Sequence, residues 1–131
     1  MTYKKTVAVD LDGVLAKYDE FRGPETIDEP IPGAKDFLKK LSAKYAVIVH
    51  TARQTETAVN WLREHDLLSH VDAVNYCQIN GRAGKPVAIA YVDDRAIRFE
   101  GVYSYVLREV DKLAENNEKK DNGGYYIPPG L

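Results

Sequence analysis

The chain is short of several things, and each shortage closes a class of readings. It holds a single cysteine, Cys77. No disulfide can form within it, and the default setting for such a chain is a reduced, cytoplasmic one. It has no apolar run approaching the ~20 residues that a bilayer-crossing helix needs, so no membrane association is expected. The opening stretch, MTYKKTVAVD, reaches Asp10 too early to read as a secretory leader. Positive charge is not in excess either: 18 Lys and Arg stand against 20 Asp and Glu, a formal net charge of −2. Without a basic field a nucleic-acid polymer is a poor partner, although a local patch stays open. Internal repeats and low-complexity blocks are also missing.

What is present is an alternation of strand and helix signals within 131 residues, the usual length of one domain. TVAVDL (6–11) reads as a short buried strand, and Pro32-Gly33 opens a helix that places Phe37, Leu38 and Leu41 on one face. YAVIVHT (45–51) is a second strand, followed by a helix from Gln54 to Asp66 with Ala58, Val59, Trp61, Leu62 and Leu67 inward. VDAVNY (71–76) is a weaker third strand and VAIAYVDD (87–94) a strong fourth. A last helix, from about Val102 to Glu115, lines up Val102, Tyr105, Val106, Val110 and Leu113 for the core. Such alternation implies an α/β, three-layer Rossmann-like fold with a mainly parallel sheet. Residues 1–115 read as one catalytic domain and 116–131 as a polar tail, whose Tyr125-Tyr126 pair is either a free end or a cover for the site.

In open α/β sheets ligands bind beyond the C-terminal ends of the strands, where strand order reverses. Here those ends carry Asp10-Leu11-Asp12-Gly13, His50-Thr51-Ala52-Arg53 and Asp93-Asp94-Arg95. Carboxylates gathered this way repel one another unless a cation neutralises them, and an oxygen-only ligand set suits Mg²⁺. Carboxylates, a hydroxyl and guanidinium groups together have the content required for phosphoryl transfer.

VAVDLDGVLAKYD resembles the nucleophile signature of the haloacid dehalogenase superfamily, a strand followed by DxDG. VIVHTAR is similar to its second signature and YVDDRAIRF to its acidic fourth, in the same order and at the same strand ends. The resemblance implies a magnesium-dependent phosphatase in which Asp10 attacks phosphorus and forms an aspartyl-phosphate. Asp12 would start protonated, donate its proton to the leaving oxygen and later activate water. The backbone N–H groups of Leu11 and Ala52, with the Thr51 hydroxyl, would hold the phosphoryl oxygens. Asp10, the Asp12 carbonyl, Asp93 and Asp94 would hold Mg²⁺. The phosphate-neutralising lysine of the family would be Lys85, but a strand beginning at Val87 puts it at the far end of the sheet. It reaches the site only if residues 86–89 run as loop; Arg53 is the first substitute and Arg95 the second.

The resemblance further implies no cap domain, since residues 13–32 are too few to form one and leave only a flap. Tyr18, Asp19, Phe21 and Arg22 of that flap would face the leaving group. The substrate would be a phosphorylated small molecule or a terminal phosphate, with a homo-oligomer as one way to cover an open site. Alternatives remain. A phosphotransferase or mutase would use the same intermediate, and a non-catalytic protein could bind a phosphoryl ligand on the same fold. An EF-hand loop fails because Val14 and Leu15 stand where it needs Asp/Asn and Gly. A phospho-receiver domain would carry its acidic pair without DxDG. His65 and His70 read as surface residues, Cys77 as a packed thiol, and Arg98 as a partner for Glu100.

Overall fold

The computed structural model describes residues 3–82, 84–120 and 126–130. It divides into two compact units, Met1–Tyr18 with Gly23–Asp94, and Asp19–Arg22 with Arg95–Leu131. The first unit carries a sheet of four parallel strands, β1 (Thr6–Val9), β2 (Ala46–Val49), β3 (Ala73–Val74) and β4 (Ala90–Val92), in the order β3-β2-β1-β4. The α/β, Rossmann-like layout expected from the alternation is therefore present.

Helix α1 (Ala34–Ser42) joins β1 to β2, and α2 (Thr55–Glu64) joins β2 to β3. Both crossovers step the same way along the sheet, so right-handed connections put both helices on one face. The core agrees. Val7, Val9, Val47, Val49 and Val74 cluster with Ala34 and Leu38 of α1 and with Ala58, Trp61 and Leu62 of α2. Ala8 and Ile48, which alternate with those valines, are buried but stand outside that cluster.

Gly33 adopts φ 94 at the N-terminus of α1, a turn that the Pro32-Gly33 pair makes possible. Asp36 in the first turn and Lys39 and Lys40 in the last complement the helix dipole. Phe37, expected inward, is instead exposed, and Ala34 and Leu38 form the buried face. The reading of α2 holds, with Ala58, Trp61, Leu62 and Leu67 buried.

All four strands are shorter than the runs that announce them, β3 (Ala73–Val74) and β4 most of all. β4 spans Ala90–Val92 rather than 87–94 because it can pair only as far as β1 extends. Its ladder opens with Ile89 N–H on the Thr6 carbonyl and closes with Asp10 N–H on the Val92 carbonyl. Residues 87–89 therefore run as loop.

In the second unit, α3 covers Tyr103–Asn116, close to expectation, but its stripe does not enter a core. No residue of α3 is buried, and Val102, Tyr105 and Val110 are exposed. An amphipathic pattern specifies a helix and its apolar face, not a partner for that face. Arg98 pairs with Glu100 at 3.5 Å, both exposed. Tyr125 of the expected tail lies outside the described residues, and Tyr126 is exposed. Among the described residues no helix is long and apolar enough to cross a membrane.

Candidate functional site

Register decides which side chains meet. Val9 pairs with Val49 on one side and Val92 on the other, and Val49 pairs with Val74. The residues immediately beyond, Asp10, His50, Asn75 and Asp93, therefore stand in a row along the C-terminal edge. The chain walks from β1 to β2 to β3, then returns to place β4 on the far side of β1. The reversal falls between β1 and β4, where a ligand crevice is expected.

Asp10, Asp93 and Asp94 converge at that point, each offering a carboxylate oxygen within 4.8 Å of the others. Asp10 is half-buried, and burial pushes its carboxyl up from the usual carboxylate range to about 7. The Leu11 N–H, donating to Asp10 Oδ1 at 2.8 Å, works against that rise. The charges of Asp93, Asp94 and Asp12 add to it. Asp94 Oδ1 is buried and has no hydrogen-bond partner among the described residues. A buried carboxylate oxygen without a partner, on a residue clustered with two more carboxylates, is expensive unless a cation completes it. The donor set, hard oxygens only, fits Mg²⁺.

Gly13 makes this arrangement possible. It has φ +83, and a methyl group on it would come within 2.5 Å of Asp94 Cγ. The turn around it is wound on one carbonyl: the N–H groups of Leu15 and Ala16 both donate to Leu11 O at 2.9 Å. Gly13 thus serves both the turn and the close approach of Asp94.

Asp12 lies two residues on and in different company. Arg53 grips it in a fork, Nε to Oδ2 at 2.9 Å and Nη2 to Oδ1 at 3.1 Å, with side chains only 7% and 17% exposed. The third nitrogen, Nη1, donates to the carbonyls of Gly23 (2.8 Å) and Pro24 (2.9 Å) in the flap. A carboxylate bound at both oxygens by a guanidinium is an acceptor, not a proton donor. In this arrangement both oxygens of Asp12 are taken by Arg53, and Arg53 spends its donors on the protein itself.

Thr51 is buried, and its hydroxyl accepts the Arg53 N–H at 3.1 Å. Asn75, which the sequence reading placed inside a strand, organises the rest of this loop from a left-handed backbone (φ 52). Its Oδ1 accepts the Thr51 N–H at 2.9 Å, and its Nδ2 reaches Arg53 O (3.2 Å) and Thr55 Oγ1 (3.3 Å). The available signal was an asparagine at a strand end, where asparagine tolerates positive φ.

Of the remaining candidates, Leu11 gives its N–H to Asp10 and buries its side chain completely. Ala52 is exposed in the loop after β2. Lys85 lies in the loop before β4, and its ammonium sits 4.6 Å from the centroid of the Tyr91 ring. The loop condition set for it is met, yet its cation is occupied by an aromatic face. Arg95 belongs to the second unit, donating to Lys120 O at 3.4 Å. Phe21, in the same unit, donates its N–H to Lys119 O at 3.1 Å. Cys77 is buried, as a packed thiol would be.

No protein-family model matches the chain, and no curated protein matches it. Among solved structures, a conserved protein from Bacteroides thetaiotaomicron is similar. It is 28% identical, the likeness covers 83% of this chain and 91% of that one, and the TM-score is 0.58. That neighbour is described only as a conserved protein, so the likeness speaks to the fold and carries no activity.

Proposed function

We propose that the chain is a magnesium-dependent phosphohydrolase of the haloacid dehalogenase type, acting on a phosphate monoester through an aspartyl-phosphate on Asp10. The observation that carries this reading is the convergence of Asp10, Asp93 and Asp94 at the switch point, with a buried, unpartnered oxygen on Asp94. Asp10, Asp93 and Asp94 would hold Mg²⁺ there, with the Asp12 carbonyl as a further ligand. The ion would lower the repulsion between Asp10 and an incoming phosphate. The free oxygen of Asp10 attacks phosphorus; the P–O bond to the leaving group breaks, and water later releases phosphate from the carboxyl.

Asp12 acts as acid only once its pair with Arg53 opens. A phosphate group is itself a two-point acceptor for a guanidinium, so substrate competes for Arg53 and relieves Asp12. In this reading Arg53, rather than Lys85, supplies the charge that offsets the phosphate. The substrate is a small phosphomonoester or a terminal phosphate, and the setting a reducing one in which Cys77 stays a thiol.

A second reading draws on the same salt bridge. If Arg53 never releases Asp12, the chain is a phosphoryl-ligand or metal-binding protein without turnover. Phosphate release from a broad panel of phosphoesters, with and without Mg²⁺ and beside Asp10→Asn, decides. Magnesium-dependent release that disappears in the variant supports hydrolysis. Release that persists in the variant removes Asp10 as nucleophile. Phosphate passed to an acceptor instead of appearing free would make the chain a phosphotransferase.

A further inference from the structure

The Arg53 guanidinium makes four hydrogen bonds at once, two to Asp12 and one each to the carbonyls of Gly23 and Pro24, at 2.8 to 3.1 Å. Its donors form a rigid, planar fork, so this fit tolerates little displacement at the base of the side chain. What fixes that base is the main chain of Arg53, and both of its polar groups are taken. The N–H donates to Thr51 Oγ1 at 3.1 Å, and the carbonyl accepts Asn75 Nδ2 at 3.2 Å.

One asparagine side chain thus reaches both sides of Ala52. Asn75 Oδ1 accepts the Thr51 N–H at 2.9 Å, while Nδ2 serves the Arg53 carbonyl and, at 3.3 Å, Thr55 Oγ1 at the start of α2. Asn75 is anchored in turn. Its N–H donates to the Val49 carbonyl at 2.8 Å, and its own carbonyl accepts Arg82 Nη1 at 3.2 Å. The backbone between those two bonds stands at φ 52. Aspartate would tolerate that angle and keep the acceptor but lose the donor; glycine would keep the angle and lose both. Among the described residues Asn75 bonds to Arg53 at the main chain only. Truncating the Arg53 side chain therefore leaves the bonds of Asn75 in place.

We propose that Asn75 is a positioning residue of the candidate site and acts through Arg53. By fixing the Arg53 main chain it sets where the guanidinium meets Asp12 and, in turnover, the substrate phosphate. The proposal rests on the phosphohydrolase reading only for its effect on turnover; the effect on Arg53 is measurable without it.

The Arg53 Nε–H, on a side chain 7% exposed and bonded to Asp12, should give a nitrogen-15 correlation apart from those of exposed arginines. Arg53→Ala identifies it by its loss. Asn75→Gly should shift that signal toward the exposed arginines or broaden it away. The indole N–H of Trp61, the chain's only tryptophan, bonds to the Asp28 carbonyl and should stay in place. If the indole signal moves too, the variant has lost its fold, and Asn75→Asp, which keeps the acceptor for Thr51, is read with the same expectation. An Arg53 signal unmoved in a folded variant overturns the proposal.

Phosphate release supplies the second arm. Asn75→Gly should lower kcat/KM by about 10–100-fold, but by less than ~2-fold when made in Arg53→Ala, where there is no guanidinium left to misplace. An equal loss in both backgrounds, or none in either, overturns the assignment while leaving the hydrolase reading intact. A displaced Arg53 signal in a chain that hydrolyses no ester supports the positioning role and counts against the hydrolase.

Discussion

Two junctions on the same sheet edge, β1 with β4 and β2 with β3, are built on opposite principles. At the β2–β3 junction the loop's polar groups answer one another. Asn75 serves Thr51, Arg53 and Thr55, and the Thr51 hydroxyl takes the Arg53 N–H. At the β1–β4 junction three carboxylates crowd together and a buried oxygen of Asp94 has no partner. A satisfied network rigidifies, whereas an incomplete one stores a cost that a ligand can remove. In the proposed reading the first junction is scaffold and the second is where the metal and substrate would bind. Arg53 connects them by leaving the scaffold loop to hold Asp12.

The contrast can be broken by experiment. The largest effect is expected from Asp10→Asn, with phosphate release falling by about 10⁴-fold or more. The fold should survive, as judged by an unchanged far-ultraviolet dichroism spectrum. Retained activity would move the chemistry elsewhere. On the scaffold side, Asn75→Ala strands the Thr51 N–H and puts at positive φ a residue that tolerates it less well than asparagine. A loss of roughly 2–4 kcal/mol in denaturant unfolding is expected, partly restored in Asn75→Gly. A loss under ~0.5 kcal/mol would show that the network does not brace the loop.

Gly13→Ala tests the crowded junction from behind. Displacing Asp94 should weaken Mg²⁺ binding about 10–100-fold by calorimetry. Unaltered affinity would take Asp94 out of the ligand set. The pH response has a definite sign. The Asp10 carboxyl is raised in the folded chain to about 7, so folding favours its protonated form. In EDTA the chain should be most stable below the ordinary aspartate range. It should lose about 1–2 kcal/mol as pH rises through 7, once solvent screening of a half-buried group is allowed for. Asp10→Asn should flatten that slope, and Mg²⁺ should restore stability at pH 8. A wild-type slope identical to the variant's would contradict the assigned burial. The smallest effect is expected from Lys85→Ala, a change of no more than ~3-fold in rate, because its ammonium rests on Tyr91. A loss of ~100-fold would return Lys85 to the phosphate site.

The β1–β4 junction was legible in the sequence because short-range signals write it. Asp10 and Asp93 each follow an apolar β-branched run, and Gly13 follows a turn-forming aspartate. The rule that strand ends face the crevice does the rest. The link between Asp12 and Arg53 was not legible, since it spans 41 residues and depends on two flap carbonyls no pattern announces. Asn75 was hidden inside a run that reads as strand. The extent of β4 was misjudged because its length is set by β1, not by its own composition. The apolar stripe of α3 was readable as a helix face, but burial is a property of two surfaces and only one is encoded there.

Residues 23–29 are tied to their unit through four hydrogen bonds that use carbonyl oxygens. Those of Gly23 and Pro24 take Arg53, that of Asp28 takes Trp61, and that of Glu29 takes the Lys17 N–H. A carbonyl is common to all twenty residue types. The exposed side chains of Glu25, Thr26 and Glu29 are therefore at liberty to change without touching those bonds, whereas Ile27 packs against the core. Selection can proceed by substitution at those three positions, one residue at a time, while the backbone bonds that hold the segment are inherited unchanged.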